Sequence, residues 1–121
     1  MGDRGNIRMD YGGSQGHIYF YTHWNGGRLF EILKDSLSRG RSRWNDEQYL
    51  ARIIFCDMVK DDSMGLIGAG ISPQMGDNEY DLFAVNPERE IVYQLSGATE
   101  DVKREWSFDD FIILENDPRL G

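Results

Sequence analysis

The chain has few of the residues that mark disulfide-bonded, metal-binding and membrane proteins. Its 121 residues include one cysteine, which excludes an internal disulfide. The only two histidines, His17 and His23, would lie about 20 Å apart on one strand, too far to share a metal ion. No apolar run approaches the roughly 18 residues of a membrane helix, and the first residues lack an apolar signal region. We therefore expect a cytoplasmic protein with no metal, no cofactor and no membrane partner.

Sequence motifs of known catalytic mechanism are also absent. The chain has no GxSxG, phosphate-binding loop, GxGxxG or HExxH pattern. Cys56 follows Ile54 and Phe55, which predicts a buried core thiol and not a nucleophile. His23 is the best acid–base candidate, since imidazole titrates near neutrality, and Asp46, Asp77 or Asp81 could orient it. These absences favour a protein that is not an enzyme and leave a small His23-dependent hydrolase as an alternative.

Acidic residues outnumber basic residues, and the excess is confined to the second half. The chain has 13 basic and 21 acidic residues, a formal net charge of −8. Residues 1–56 carry 8 basic and 6 acidic side chains, whereas residues 57–121 carry 5 and 15. Such a balance argues against broad nucleic-acid binding through phosphate contacts. It also suggests an alternative function, an acidic inhibitor that binds a host protein through the second half.

Hydrophobic periodicity predicts strands and helices in the order β-β-α-α-β-β-β, with a short helix at the C-terminus. Residues 5–10 and 17–24 alternate like a hairpin, and residues 28–39 have a helical apolar face ending at Gly40. A second helix should begin with Asn45 as its N-cap. Apolar residues occur on most sides of this helix, so we expect it to be buried on most sides. Strands are expected at residues 66–72, 80–85 and 90–95, and Ser107 should cap the last helix.

These elements predict an α+β fold, a mostly antiparallel sheet of about five strands packed against two helices. The length fits one globular domain over residues 1–121, with a tail that frays after about residue 115 because it is polar. The glycines of the strand at residues 66–72 should leave room for a close neighbour, such as the buried helix. An exposed edge strand could also support a homodimer.

A polar and aromatic set around the first helix is the strongest indication of function. A double glycine between a strand and a helix can present backbone N–H groups to an anion, and arginine beside tryptophan can hold a flat or charged ligand. We predict that the ligand-binding residues are His23, Trp24, Gly26, Gly27, Arg41, Arg43, Trp44, Tyr49, Arg52, Asp77 and Asn78. The alternative interpretation is that the tryptophans belong to the core and the arginines pair with nearby acids.

Several segments resemble a group of small uncharacterised bacterial and phage proteins. The resemblance rests on residues 2–7 (GDRGNI), 21–24 (YTHW), 41–44 (RSRW) and 49–55 (YLARIIF), and extends over roughly residues 2–85. It departs from the group at Asn25, where glycine is expected. A phage setting implies a counter-defence role in the host cytoplasm. Together these features predict a non-enzymatic binding module for an anionic, nucleotide-like ligand, with the acidic inhibitor and the hydrolase as alternatives.

Overall fold

A computed structural model describes residues 2–12, 15–60 and 68–120. Six strands form one sheet: β1 (Gly5–Tyr11), β2 (Gly16–Thr22), β3 (Gly70–Ser72), β4 (Leu82–Asn86), β5 (Ile91–Leu95) and β6 (Val102–Ser107). The α-helices are α1 (Leu29–Arg39), α2 (Glu47–Val59) and α3 (Phe108–Ile112). Short 3-10 turns occupy Gly26–Arg28, Arg41–Arg43 and Pro118–Leu120. The predicted α+β fold is confirmed, and none of the described helices has the length and apolar character needed to span a bilayer.

The strand order across the sheet is β3-β2-β1-β4-β5-β6. The predicted hairpin is confirmed, since β1 and β2 pair antiparallel from Gly5 opposite Thr22 to Tyr11 opposite Gly16. β1 also pairs in parallel with β4, Ile7 lying opposite Phe83. The remaining described pairs are antiparallel, so the sheet is mostly antiparallel, as predicted.

The helices pack against one face of the sheet and form the main core. This core includes Ile7, Met9, Phe20, Leu33, Leu37, Ile54, Phe83, Val92 and Phe111. The opposite face carries a smaller cluster of Tyr19, Leu82, Ala84 and Leu95. There the Tyr19 hydroxyl donates to Glu100 at 2.7 Å, and the Arg8 guanidinium pairs with Asp10 and Glu100. The tyrosine-bearing face of β2 therefore lies opposite the helices and packs under the loop that carries Glu100.

The first predicted helix is confirmed, and its glycine cap has a packing reason. Gly40 follows α1 with a φ of −90°, and its N–H donates to the Ser36 carbonyl. A Cβ at Gly40 would lie 2.8 Å from that carbonyl oxygen and 3.1 Å from Ile53 Cδ1. Glycine is needed here chiefly because the backbone carbonyl of Ser36 lies so close, with Ile53 of α2 next to it, and not because the backbone is left-handed.

The second helix differs from the prediction at its start and in its burial. Asp46, not Asn45, is the N-cap, and its side chain accepts a hydrogen bond from the Tyr49 N–H. The fully buried positions are Leu50, Ile54 and Met58, which share one helical face. Cys56 is exposed, so the predicted core thiol is wrong. The apolar residues around it led to that error, because two residues after Ile54 a helix presents its opposite side.

Two strand predictions also change. β3 spans Gly70–Ser72, while residues 66 and 67 of the predicted strand lie outside the described residues. The glycines there approach β2 and the residue after it, not the helix: a Cβ at Gly70 would strike the Tyr21 ring, and one at Gly68 would lie 3.2 Å from the His23 ring. The prediction missed β6, because as an exposed edge strand its residues are largely polar and lack an apolar face.

The C-terminal segment is docked against the fold. Ser107 caps α3 as predicted, accepting a hydrogen bond from Asp110 N, and Phe108 and Phe111 are buried. The expectation that the chain frays after about residue 115 stays a prediction. The Arg119 side chain is only 1% exposed, pairs with Asp117 and donates to the Gly26 carbonyl. The hydrogen bond to Gly26 therefore connects this polar segment to the turn before α1, while the ion pair with Asp117 lies within the segment.

Candidate functional site

The predicted ligand-binding residues lie at the two ends of α1. His23, Trp24, Gly26 and Gly27 precede the helix, whereas Arg41, Arg43, Trp44, Tyr49 and Arg52 follow it. The helix has 11 residues and is therefore about 16 Å long. The structure thus separates one predicted surface into two regions. We name the second the arginine–aromatic patch (Arg41, Arg43, Trp44, Tyr49, Arg52).

The two predicted stacking residues have different environments. Trp24 is 53% exposed, whereas Trp44 is 7% exposed and belongs to the core. The Trp44 Nε1–H donates to the Leu37 carbonyl at 2.9 Å, and the ring meets Phe108 edge to face at 5.2 Å. Trp24 is accessible to a ligand, but Trp44 serves mainly to hold α3 and the end of α1 together.

The chain already covers the aromatic faces of the arginine–aromatic patch. The Arg41 guanidinium lies 4.6 Å from the centre of the Trp44 ring and is paired with Asp109. Arg43 and Arg52 lie 4.4 and 5.5 Å from the centre of the Tyr49 ring. Arg43 is also 3.9 Å from the Asp46 carboxylate. The arginines and aromatic rings do come together, but largely with one another and with the chain's own acids.

The glycine turn before α1 binds a carboxylate that belongs to the chain. The Gly26 N–H donates to the Asp3 carbonyl at 2.7 Å, and the Gly27 N–H donates to the Asp3 carboxylate at 3.1 and 3.2 Å. The Tyr80 hydroxyl donates to the same carboxylate, and this hydrogen bond, together with burial, raises the pKa of Tyr80. The predicted anion-binding geometry is therefore present, and the anion in it is Asp3.

An open cleft lies beside this turn, where β1 begins and β2 and β3 meet. We call it the N-terminal cleft. It has a volume of about 320 Å³ and is lined by Arg4, Tyr21, Thr22, His23, Ser72, Gly76 and Asp77. Antiparallel pairing brings these segments together, because Gly5 lies opposite Thr22 and Tyr21 lies opposite Gly70. Two predicted residues, His23 and Asp77, therefore share one site.

The loop that closes the N-terminal cleft is held by β1. The buried Asn6 side chain donates to the carbonyls of Gly76 and Asp77 at 3.3 Å and accepts from the Gly76 N–H at 3.2 Å. Arg4 and Glu79 exchange two further hydrogen bonds, Arg4 N to the Glu79 carboxylate and Glu79 N to the Arg4 carbonyl. Five hydrogen bonds across some 70 residues thus fix one wall of the cleft before any ligand binds.

Arg4 is the cleft residue with unfilled hydrogen-bonding capacity. Its Nε is buried and has no acceptor among the described residues. Its Nη1 lies 3.9 Å from the Asp77 carboxylate, a side chain that is 84% exposed and therefore strongly solvated. Such an ion pair contributes little, so the guanidinium remains available to a stronger acceptor.

The His23 ring lies in the same region and is held by packing contacts. Its ring packs edge to face with Tyr21 at 5.6 Å and lies against Gly68, whose φ of +58° favours glycine. No described residue makes a hydrogen bond with the imidazole. Of the carboxylates considered as its orienting group, Asp77 lines the cleft, while Asp46 caps α2 and Asp81 binds Lys103.

Sequence reasoning missed several residues of the cleft. Arg4 carried no motif or spacing that distinguished it, and Ser72 lay at the end of a glycine-rich strand. Tyr21 had a weak signal, its place on the polar-aromatic face of the predicted hairpin. The predicted Asn78 does not line the cleft, since its side-chain amide donates to the Tyr80 carbonyl in the adjoining groove.

Neither a metal-binding cluster among the described residues nor similarity to a known protein indicates what the site binds. Within the described residues, no group of three or more histidine, cysteine or acidic side chains is placed to hold a metal ion. No protein-family model matches the chain, and neither a curated protein nor a solved structure is significantly similar to it. The resemblance to bacterial and phage proteins has no support from these comparisons, so the function must be argued from the geometry.

Proposed function

We propose that the protein is a non-enzymatic binding module for a small anionic ligand that occupies the N-terminal cleft. The observation that carries the proposal is Arg4, which lines the cleft, has a side chain that is 42% exposed and makes a long ion pair of 3.9 Å with the exposed Asp77 carboxylate. An anionic ligand can replace this weak ion pair with charge-assisted hydrogen bonds from the guanidinium.

The other residues of the cleft suit the same class of ligand. His23 offers an imidazole ring with which no described residue makes a hydrogen bond, and Tyr21 and Ser72 bring hydroxyl groups. The volume of about 320 Å³ lies near the lower limit for small-molecule sites, roughly 300–1,000 Å³. A mononucleotide or a smaller anion is therefore favoured over a polymer. The nucleotide-like ligand predicted from sequence belongs to this class.

The arginine–aromatic patch supports the proposal less well. Arg41 already pairs closely with Asp109, and the guanidinium groups of Arg41 and Arg43 cover the rings that a base would stack on. An incoming anion would have to compete with these contacts. We therefore place the ligand at the opposite end of α1.

Calorimetric titration against a panel of inorganic phosphate, nucleoside monophosphates and cyclic nucleotides tests the proposal. We expect saturable binding of at least one anion. Arg4→Gln removes the charge and the guanidinium fork, so it should weaken that binding about 10-fold or more, as expected for a charge-assisted hydrogen bond. Arg104→Gln is the matched control, because Arg104 is an exposed arginine on the edge strand β6.

Two outcomes would overturn the proposal. One is that no member of the panel binds to the wild-type protein. The other is that Arg4→Gln and Arg104→Gln weaken binding equally, which would indicate a general charge effect and not a site. His23→Asn provides a second check, since it should weaken binding without altering the Arg4 contacts.

The alternatives from sequence have less structural support. A hydrolase centred on His23 needs an oriented imidazole, and no described carboxylate makes a hydrogen bond with this ring. An acidic inhibitor needs accessible carboxylates: Glu88 and Glu90 are exposed, whereas Glu79 and Asp81 accept hydrogen bonds from Arg4 N and Lys103. The counter-defence setting in a phage-infected cell rests only on the resemblance of the sequence.

A further inference from the structure

An apolar pocket lies between the first turns of α2 and the end of the β1–β2 hairpin. It has a volume of about 200 Å³ and is lined by Met9, Asp10, Tyr11, Ile18, Glu47, Gln48 and Ala51. Tyr11 is 45% exposed, so part of this apolar surface faces solvent. The volume is below the roughly 300–1,000 Å³ of small-molecule sites. The pocket therefore suits a single apolar side chain.

The pocket follows from the way the hairpin and the helix meet. Tyr11 lies opposite Gly16, and its ring packs across β2 at a position where a Cβ would be only 2.7 Å away. The Gly12 N–H donates to the Glu47 carboxylate at 3.4 Å, which joins the end of the hairpin to α2. Ala51 lies one helical turn after Glu47, and its short side chain leaves the space between helix and hairpin open.

An acidic groove continues from the pocket, along the start of α2, to the turn between β4 and β5. It has a volume of about 810 Å³ and is lined by Gly12, Asn45, Asp46, Glu47, Gln48, Pro87, Glu88 and Glu90. Glu47 and Gln48 line both cavities, so the pocket opens into the groove. Among the described residues, the groove walls carry four carboxylates and no basic side chain.

Glu88 and Glu90 carry the charge that a partner can reach. Both side chains are exposed, and the guanidinium of Arg89 between them donates to a tyrosine hydroxyl of β5. The two acids at the start of α2 are partly compensated by the positive end of the helix dipole. One of them, Asp46, also has the Arg43 guanidinium at 3.9 Å. The negative charge of the groove is therefore least neutralised at the β4–β5 turn.

We propose that the pocket and the groove together dock a basic segment of a partner protein. An apolar side chain of this segment enters the pocket, and lysine or arginine residues beside it pair with Glu88 and Glu90. Charge complementarity selects this occupant, because the acidic walls repel nucleic acids and anionic membranes. The surface shares no lining residue with the N-terminal cleft, so this proposal does not depend on the function proposed above.

Fluorescence anisotropy with short labelled peptides tests this docking surface. The probe is a peptide in which one leucine is flanked on each side by two lysines. We expect saturable binding that weakens as salt is added, because salt screens exposed charges. Replacing the leucine with serine should weaken binding about 10-fold, since apolar surface is no longer buried in the pocket. Replacing the lysines with glutamates should abolish binding.

Charge variants test the groove. Glu88→Gln combined with Glu90→Gln should weaken binding of both the leucine and the serine peptide about 10-fold, because both peptides carry the lysines. Glu31→Gln combined with Glu115→Gln is the matched control. It removes the same number of charges from exposed glutamates that do not line the groove, so it should leave binding nearly unchanged.

A filled pocket provides the complementary test. Ala51→Leu places a larger side chain in the pocket and should weaken binding of the leucine peptide to the level of the serine peptide, which itself should not change. If that variant does not fold, Tyr11→Ser removes an exposed apolar wall of the same pocket and should have the same selective effect.

Three results would overturn the proposal. The first is that the leucine peptide does not bind, or binds no better than the serine peptide. The second is that the two pairs of glutamate variants weaken binding equally, which would indicate a general charge effect. The third is self-association of the protein alone, measured by sedimentation, that is lost in Glu88→Gln with Glu90→Gln, because the occupant would then be a second copy of the chain.

Discussion

The two ends of α1 carry similar residues, but the chain's own side chains pair with them to different extents. At the C-terminal end, three arginines lie on two aromatic rings, and two of them pair with Asp109 and Asp46. At the N-terminal end, Asp3 fills the glycine turn, but Arg4 beside it keeps a buried donor with no described acceptor. A cluster of arginine and aromatic residues therefore indicates a binding site only where the chain has not supplied the counter-groups itself.

The two ends differ less in the residue types they contain than in which polar groups lack a hydrogen-bond partner among the described residues. Cation–π stacking and ion pairs order the arginine–aromatic patch, so its residues contribute mainly to packing around α3 and α2. The N-terminal cleft is also ordered, through Asn6 and Glu79, but no described residue makes a hydrogen bond with Arg4 Nε or with the His23 ring. A rigid frame around unfilled polar groups is the arrangement expected of a preorganised binding site.

The largest expected effect separates the two tryptophans. Trp44→Ala should lower the free energy of unfolding by about 3–5 kcal/mol, because it leaves a cavity in the core and removes a buried hydrogen bond to Leu37. Trp24→Ala should lower it by less than about 1 kcal/mol, since the ring is 53% exposed. Urea unfolding followed by circular dichroism measures both. Equal losses would contradict the assignment of one tryptophan to the core and the other to the surface.

A smaller effect is expected at the glycine turn. Asp3→Asn keeps an acceptor for Gly27 but loses the negative charge at the start of the helix, and should reduce stability by about 1–2 kcal/mol. Asp35→Asn is the control, because Asp35 is an exposed acid within α1. If the two variants unfold at the same urea concentration, Asp3 is not the anion that the turn binds.

The same turn predicts a dependence on alkaline pH. The pKa of Tyr80 is raised, and the largest cause is its hydrogen bond to Asp3. A raised folded-state pKa stabilises the protein below the unfolded value of about 10, and this contribution is lost as pH rises through the folded value. Wild type should therefore lose more stability above about pH 10 than Tyr80→Phe does. In Asp3→Asn, phenolate absorbance should show Tyr80 ionising at lower pH than in wild type; an unchanged titration would contradict the role of Asp3.

The smallest effect is expected in the arginine–aromatic patch. Arg43→Ala removes an exposed stacking contact on Tyr49 and a long ion pair, together worth about 0.5–1 kcal/mol. Binding of the anion found for the N-terminal cleft should not change, as calorimetry would show. A loss of binding comparable to that of Arg4→Gln would instead return the ligand to the patch.

Much of the fold could be predicted because its signals are local. Alternation in β1 and β2, the apolar face of α1 and the serine cap of α3 each depend on residues a few positions apart, and each is confirmed. β6 was missed because it is a polar edge strand, defined by its pairing with β5 more than by its own side chains. The burial of Cys56 was wrong for a similar reason, since apolar neighbours in sequence do not show which side of a helix meets the sheet.

The candidate site could be predicted only in part. The segment of residues 21–27 directed attention to the N-terminal end of α1 and to His23. Arg4 and Ser72 were missed because they enter the cleft through strand pairing and loop contacts with distant residues. Trp44 and the arginines were grouped with the site because they follow it closely in sequence. In the structure, the 11-residue helix α1 lies between the two groups and keeps them apart.

By itself, the sequence determined the α+β class, most of the elements and a set of arginine and aromatic residues that flank α1. Short-range periodicity and turn chemistry are enough for that. Only the tertiary structure decided which polar groups remain unpaired. Asp3 reaches Gly27, Asn6 reaches Gly76 and Glu79 reaches Arg4 across up to 75 residues. Such contacts depend on how the whole sheet assembles, and they place the Arg4 guanidinium at the wall of the N-terminal cleft.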